Sequence, residues 1–364
     1  MVLSPSVSPA VPPGGKARLG WMDTLRGMAI ILVIFDHALY QATQSSVSVP
    51  EWANTLTLMF NPLRMPLMVF LSGMLLSPSL RKGAPEYIAG KTRNILYPYI
   101  LWSLIYGSLW VLAAPISGTP HYWSELAMIP YAPQGHLWFL HNLFIFYLIM
   151  LALRRVSRLT IAVVALAVSG LIDFWYIDRF LFLLGFFALG DLAVQKEDLI
   201  ARLLADKRVV AGLALLTLGM PASVLLLETD LRYHLPSVPL AIGGIGIMIL
   251  LAGRIGDKPG AALFRHIGRN SLPAYILHWI ILAVSLLALK RIIPDHGMEP
   301  ETRGLILMLT LGCAGFAGTL LAIEVINRLG LKWLFSWPRR RPRVVTGRKE
   351  PRCDERAMYG PARP

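Results

Sequence analysis

The run from Trp21 to Gln41, WMDTLRGMAIILVIFDHALYQ, is apolar enough to cross a bilayer, yet it carries Asp23, Arg26, Asp36 and His37. At the bilayer centre an Arg or Asp costs roughly 2.5–3.5 kcal/mol even on the lenient insertion scale, so these groups must face other helices or a wet cavity. At about 100° per residue, the step from Arg26 to His37 returns to within about 20° of the same helix face, with roughly 16 Å between the two along the axis. Asp23, at i−3 from Arg26, and Gln41, at i+4 from His37, extend that stripe. Asp36 points about 100° away from His37, and its role stays open at this level.

Hydrophobic residues make up 55% of the 364-residue chain and charged residues only 15%, with a mean hydropathy of +0.57. That balance excludes an ordinary soluble domain and points to an integral membrane protein. Apolar segments long enough to span lie near residues 21–41, 56–77, 95–114, 137–153, 159–173, 178–195, 209–227, 238–253, 271–290 and 305–327. The expected fold class is therefore all-α and polytopic, with about ten transmembrane helices.

The net charge of +14 would suit nucleic acid, but its distribution argues against that partner. Basic residues fill alternate connections: Lys16 and Arg18, then Arg81, Lys82, Lys91 and Arg93, then Arg154, Arg155 and Arg158, and so on to the C-terminal tail. This set holds 28 Lys and Arg, against 5 in the opposite set. Such an asymmetry marks the cytoplasmic side, so both termini are expected there, which requires an even number of spans. The first helix then enters from the cytoplasm, with Arg26 about a turn inside that face and His37 near the outer third.

Residues 1–18, rich in Pro, Ser and Gly, read as a disordered cytoplasmic tail with no cleaved signal peptide. Residues 19–336 form the expected transmembrane domain, and 337–364 a basic, disordered tail suited to anionic lipid headgroups. Cys313 and Cys353 are too few and too far apart for a disulfide framework or a metal site. No internal repeat is found, and GxSxG, HExxH, Walker and GxGxxG motifs are absent from the sequence. No metal and no tightly bound cofactor is therefore expected.

An arginine near one face suits anionic phosphates, and a histidine deep in a cavity suits proton transfer. The structural alternative has Arg26 neutralised by Asp23 and snorkelling to the interface, with His37 holding a helix contact. Further polar candidates are Arg64 and Ser72 in NPLRMPLMVFLSGMLLSP, which Ser72 and Gly73 open to a close helix neighbour, and His136, Trp138, His141 and Asn142 in GHLWFLHNLFIFY. Ser271, Tyr275 and His278 in IGRNSLPAYILHWI form a second stripe. For it the structural reading is an N-cap by Ser271 and interhelical hydrogen bonds by the other two.

MDTLRGMAIILVIFDH resembles the opening Arg–His signature of the membrane acyltransferase 3 family, and RMPLMVFLSGMLL, LWFLHNLFIFY and GRNSLPAYILHWI resemble its later segments in order. The sub-pattern is closest to sugar O-acetylase-like and fucose 4-O-acetylase-like members. The resemblance implies an O-acyltransferase of the inner (plasma) membrane, taking an acyl group, foremost acetyl, from cytoplasmic acyl-CoA (acetyl-CoA) as co-substrate to a hydroxyl of a sugar or exported glycan. Arg26 and His37 match the family's functional pair. His37 is the expected general base or transient acyl carrier, with Tyr275, His278 or Asn142 as oxyanion partners. Arg26, Arg81, Lys82, Arg93 and Arg269 form the expected basic rim for the donor, and Asp23, Arg64, Ser72, Trp138, His141 and Asn142 the expected acceptor side. The competing reading is a transporter or glycan flippase that uses the same buried charges as a proton or substrate path.

Overall fold

The computed structural model describes residues 20–44, 48–117, 121–174, 176–227, 230–293 and 297–338, and among these residues no strand occurs. The expected N-terminal tail and all but the first two residues of the expected basic C-terminal tail lie outside the described residues. In chain order the helices are α1 (Gly20–Gln44), α2 (Glu51–Met59), α3 (Asn61–Gly73), α4 (Leu76–Leu80), α5 (Ala84–Lys91) and α6 (Tyr97–Ser117). There follow α7 (Trp138–Ala152), α8 (Arg158–Ser169), α9 (Ile177–Gln195), α10 (Glu197–Ala205) and α11 (Lys207–Leu227). Then come α12 (Ser237–Ile255), α13 (Ala262–Arg269), α14 (Ser271–Ile292) and α15 (Pro300–Arg328). Between α5 and α6 one wider turn, Thr92–Leu96, is π-helical.

Among the described residues seven helical stretches are long and apolar enough to cross a membrane: Glu51–Leu80, Ala84–Pro115, Gly135–Ala152, Lys207–Leu227, Ser237–Ile255, Ser271–Ile292 and Pro300–Arg328. Each of the ten expected segments falls on helix, but α8 has 12 residues and reaches only about 18 Å, short of a hydrocarbon core of about 30 Å. The expected helix at 56–77 is broken in two places, at Phe60 and at Met74–Leu75. Pro62 lies at the start of α3, where its missing N–H costs nothing and its fixed φ favours a new helix.

The burial pattern is that of a protein whose solvent is lipid. Leu171, Leu215, Leu226, Leu227 and Leu321 are exposed on the outside, while Arg64, His136, His278, Asp191 and Thr319 are buried within. A water-soluble domain of this size would reverse that arrangement.

α1 is the hub, packed against α3, α12, α13, α14 and α15. The closest approach is to α13, a short helix absent from the ten expected segments. A side chain at Gly27 would collide with the Phe264 carbonyl, and one at Gly268 with the Asp23 carbonyl. The two glycines let the backbones touch on either side of Arg26. Arg158, counted from sequence with the loop charges, instead opens α8 and is buried, its Nε donating to Asp191 at 2.8 Å. Asp191 also accepts from the Ser77 backbone N–H at 2.9 Å and from Gln195 at 3.1 Å, so α4, α8 and α9 each supply this buried carboxylate with a donor.

Candidate active site

Two cavities open at opposite ends of the polar stripe on α1. The one at Arg26 has a volume of about 930 Å³ and is lined by Arg26, Lys82, Lys91, Arg93, Tyr87, Tyr147 and Ser271 among others. Its basic residues come from α1, from the α4–α5 connection and from the end of α5 with the π-turn. The π-turn contributes Arg93, Asn94 and Ile95 to the wall, and wider turns of this kind recur at functional sites. The first residues of α14, Ser271 and Leu272, line the same space, adding the positive end of a helix dipole to four basic side chains. Such a surface suits a polyanion.

From this cavity a narrow extension of about 110 Å³ runs inward past Ser72, Leu143 and Met68 to Phe139 and Tyr275. Apart from Arg26, Ser72, Ser271 and Tyr275, its wall is apolar.

The second cavity, of about 470 Å³, is lined by Asp36, His37, Tyr40, Asn54, His136, Trp138, Arg179, Arg232 and Trp279 among others. A side chamber of about 140 Å³ adds Asn61, Arg64 and Tyr233. Tyr275 lines the inner extension while His136 lines the second cavity. The Tyr275 hydroxyl donates to the His136 carbonyl, and the two rings lie 5.4 Å apart. The partition between the cavities is thus one layer of side chains thick.

Three histidines meet in that layer. His37 Nδ1 lies 2.7 Å from His278 Nε2, and the two rings lie edge to edge in nearly one plane, with centroids 5.0 Å apart. The other nitrogen of His278, Nδ1, lies 3.2 Å from the Ala274 carbonyl, which can only accept. The proton therefore sits on Nδ1 of His278, its Nε2 accepts from His37 Nδ1–H, and the Nε2 of His37 is left as a bare lone pair. His136 donates from Nε2 to the Ile276 carbonyl at 3.1 Å, so its buried Nδ1 is a lone pair that has no hydrogen-bond partner among the described residues. Trp279 stacks on His136 and meets His37 edge-on, holding both imidazoles in place.

Residues 19–327 match a family model described as an acyltransferase domain. The chain belongs to the membrane acyltransferase 3 family. Comparison with curated proteins finds no match.

In this acyltransferase 3 chain the residues singled out by sequence divide clearly. Arg26, Lys82 and Arg93 line the first cavity, whereas Arg81 and Arg269 do not. Arg269 is turned to buried Asp23, its Nε 3.3 Å from the carboxylate, so Asp23 serves the α1–α13 contact and lies far from the second cavity. Ser72 lines the first cavity, but its hydroxyl donates to the Met68 carbonyl of its own helix at 2.9 Å. Tyr275 and His278 are in the partition. Trp138 lines the second cavity, and Arg64 its side chamber. His141 and Asn142 line neither. His141 turns to the Pro130 carbonyl at 3.0 Å and packs on Tyr99. Ser271 is the first residue of α14 and no cap; Asn270 precedes it and spends its side-chain amide on the His266 carbonyl at 2.9 Å.

Asp36 pairs with Arg64 at 2.5 Å, tying α1 to α3 instead of orienting His37. Lys91 and Arg179 now stand in the site without having been weighted by sequence, and His136, named there only as a polar candidate, had no role. Lys91 carries its ammonium 3.4 Å from the Tyr147 ring centroid inside the first cavity. His136 precedes the Leu-Trp-Phe-Leu segment, and no linear spacing connects it with Tyr275, 139 positions away.

Proposed function

We propose that this membrane acyltransferase takes an acyl group, acetyl first among them, from cytoplasmic acyl-CoA and transfers it to a hydroxyl of a sugar or exported glycan. The observation that carries the reading is the narrow passage from the basic cavity to Tyr275, which touches His136 on the floor of the cavity where His37 stands. Arg26, Lys82, Lys91 and Arg93 hold the phosphates of the donor. Its pantetheine arm follows the apolar extension, so the thioester arrives at the partition. Trp138 and Trp279 give the acceptor sugar two amphipathic faces to pack on.

In the chemical step the acceptor oxygen attacks the thioester carbonyl carbon, its proton passes to Nε2 of His37, the oxygen–acyl bond forms and the carbon–sulfur bond breaks. The thiolate leaves as the coenzyme and takes one proton from Nε2 of the His37 imidazolium, which returns His37 to the Nδ1–H tautomer that His278 holds. His278, holding Nδ1 of His37, selects the tautomer in which Nε2 is the base. The Tyr275 hydroxyl, which rests on the His136 carbonyl, turns from it to the carbonyl oxygen of the thioester as charge develops there.

The topology that goes with this reading is ten spans, the short α8 crossing where the bilayer thins around it, with both termini cytoplasmic, which puts the Arg26 cavity on the side where acyl-CoA is made. The test compares surface glycans from cells with and without the gene by mass spectrometry, alongside transfer of a labelled acetyl group from acetyl-CoA by purified protein. Loss of one acyl mass from a glycan is the expected result. Unchanged glycans together with a purified protein that never consumes acetyl-CoA would overturn the proposal and favour a transporter.

A further inference from the structure

The second cavity and its side chamber contain three arginines, Arg64, Arg179 and Arg232. Two are neutralised. Arg64 pairs with Asp36 at 2.5 Å and bonds Asn61, and Arg232 pairs with Asp230 at 3.5 Å, while Asn61 donates to the same Asp230 at 3.1 Å. The aspartates of the cluster are thereby consumed. Arg179 has no ion-pair partner among the described residues, and its Nε is buried without an acceptor. Its neighbour in the chain, Asp178, likewise keeps a buried Oδ1 without a donor, so the two do not satisfy each other.

Arg179 is nevertheless held firmly. Its guanidinium lies 4.2 Å from the Trp138 ring centroid, 4.7 Å from that of Tyr176 and 6.0 Å from that of Tyr233. Tyr233 reaches that position from a backbone with φ of 61°, a conformation non-glycine residues seldom adopt. Stacking on aromatic faces fixes the plane of the guanidinium and leaves its N–H edge to face the cavity. The position is also the first turn of α9, where a cation opposes the helix dipole and an anion beside it is favoured. A guanidinium at a cavity wall with no carboxylate paired to it gains from a carboxylate or phosphate bound on that side.

We infer that Arg179 is an anchor for an anionic group on the acceptor, a carboxylate or a phosphate, in the cavity that His37 faces. The inference rests on the acyl-transfer reading for what the cavity binds, and it narrows that reading from any sugar to an acidic or phosphorylated one. Neutral sugars lack the group that would satisfy Arg179 and are disfavoured on that account.

The test uses the purified full-length protein in lipid nanodiscs with three probes: methyl glucuronide, glucose 1-phosphate and the neutral methyl glucoside. Binding of each sugar alone is measured by calorimetry, and transfer of labelled acetyl from acetyl-CoA is measured in parallel. The expected result is that an anionic probe binds roughly tenfold or more tightly than the glucoside, as a charge-assisted contact would give, with the preference weakening in salt. Arg179→Gln should abolish the preference and leave the KM for acetyl-CoA unchanged. Arg179→Lys, which keeps the charge but not the planar fork, should retain part of it. Comparing the glucuronide with the phosphate identifies the anion.

A native protein without preference, or an R179Q variant that keeps it, overturns the anchor. If Arg179→Gln loses the fold, as its unfolding temperature will report, Arg179→Lys decides alone, and an unchanged preference there overturns the inference. Binding of an anionic sugar through Arg179 with no label moved would sink the acyl-transfer reading and leave the anchor standing. Equal transfer to all three sugars would do the reverse.

Discussion

The imidazoles of His37 and His278 lie 8° from parallel, with Nδ1 of the first 2.7 Å from Nε2 of the second. They come from helices 241 positions apart in sequence, and the contact decides which nitrogen of His37 can act as a base. His37→Ala should lower kcat by about 10²–10⁴, the usual worth of a general base, and change the KM for acyl-CoA little. His278→Ala should lower kcat less. His278→Gln, whose amide oxygen can still accept from His37 Nδ1–H, should recover part of that loss. Steady-state transfer kinetics check all three, and equal activity of the Ala and Gln variants would deny His278 its positioning role.

Arg26→Ala and Lys91→Ala should each raise the KM for acyl-CoA several-fold, with kcat less affected, because both line the basic cavity proposed for the donor. Arg81→Ala and Arg269→Ala should leave that KM unchanged. Donor titrations of the four variants separate the cavity wall from the general basic surface.

Asp191→Ala strands Arg158, which is 6% exposed, as an unpaired buried charge, a change that costs about 3–5 kcal/mol in comparable pairs. Replacing both, Arg158→Met with Asp191→Leu, should be far milder. Thermal unfolding in nanodiscs tests this, and a double variant less stable than D191A would show that the pair contributes more than mutual neutralisation.

Gly268→Val places a side chain against the Asp23 carbonyl and should push α13 away from α1. Overpacking of this kind costs about 1–3 kcal/mol. The unfolding temperature should fall and the donor KM should rise, since Arg26 is carried on the same contact; an unshifted KM would separate the glycine from the site.

A fluorescent reporter that matures only in the cytoplasm should be active when fused after Pro364 and inactive when inserted at Leu235, between α11 and α12. Activity at Leu235, or its absence at the C-terminus, would refute the proposed topology.

Much of this molecule is legible in its sequence because a bilayer leaves few options. A segment must be helical and long enough, and its charges must face inward, so hydropathy locates the helices and the stripe Asp23–Arg26–His37 marks α1 as the hub. The same stripe, with the segments around Trp138 and Tyr275, was enough for the family resemblance, and the family model agrees over residues 19–327. Less legible were features set by backbone detail. Pro62 starts a new helix inside an apolar run, α13 packs through Gly27 and Gly268, and Arg158 is withdrawn from its loop by Asp191.

The sequence by itself determined an all-helical membrane protein whose first helix carries a cation and an imidazole about 16 Å apart on one face. That follows from local periodicity and from the cost of charge in lipid, neither of which depends on distant neighbours. Only the tertiary structure decided what each polar residue meets: His278 and not Asp36 for His37, Arg64 for Asp36, Arg269 for Asp23, and His136 with Tyr275 in the partition. Those partners lie on other helices, and the rotation and depth at which helices pack are set by side-chain and backbone fit along their whole length.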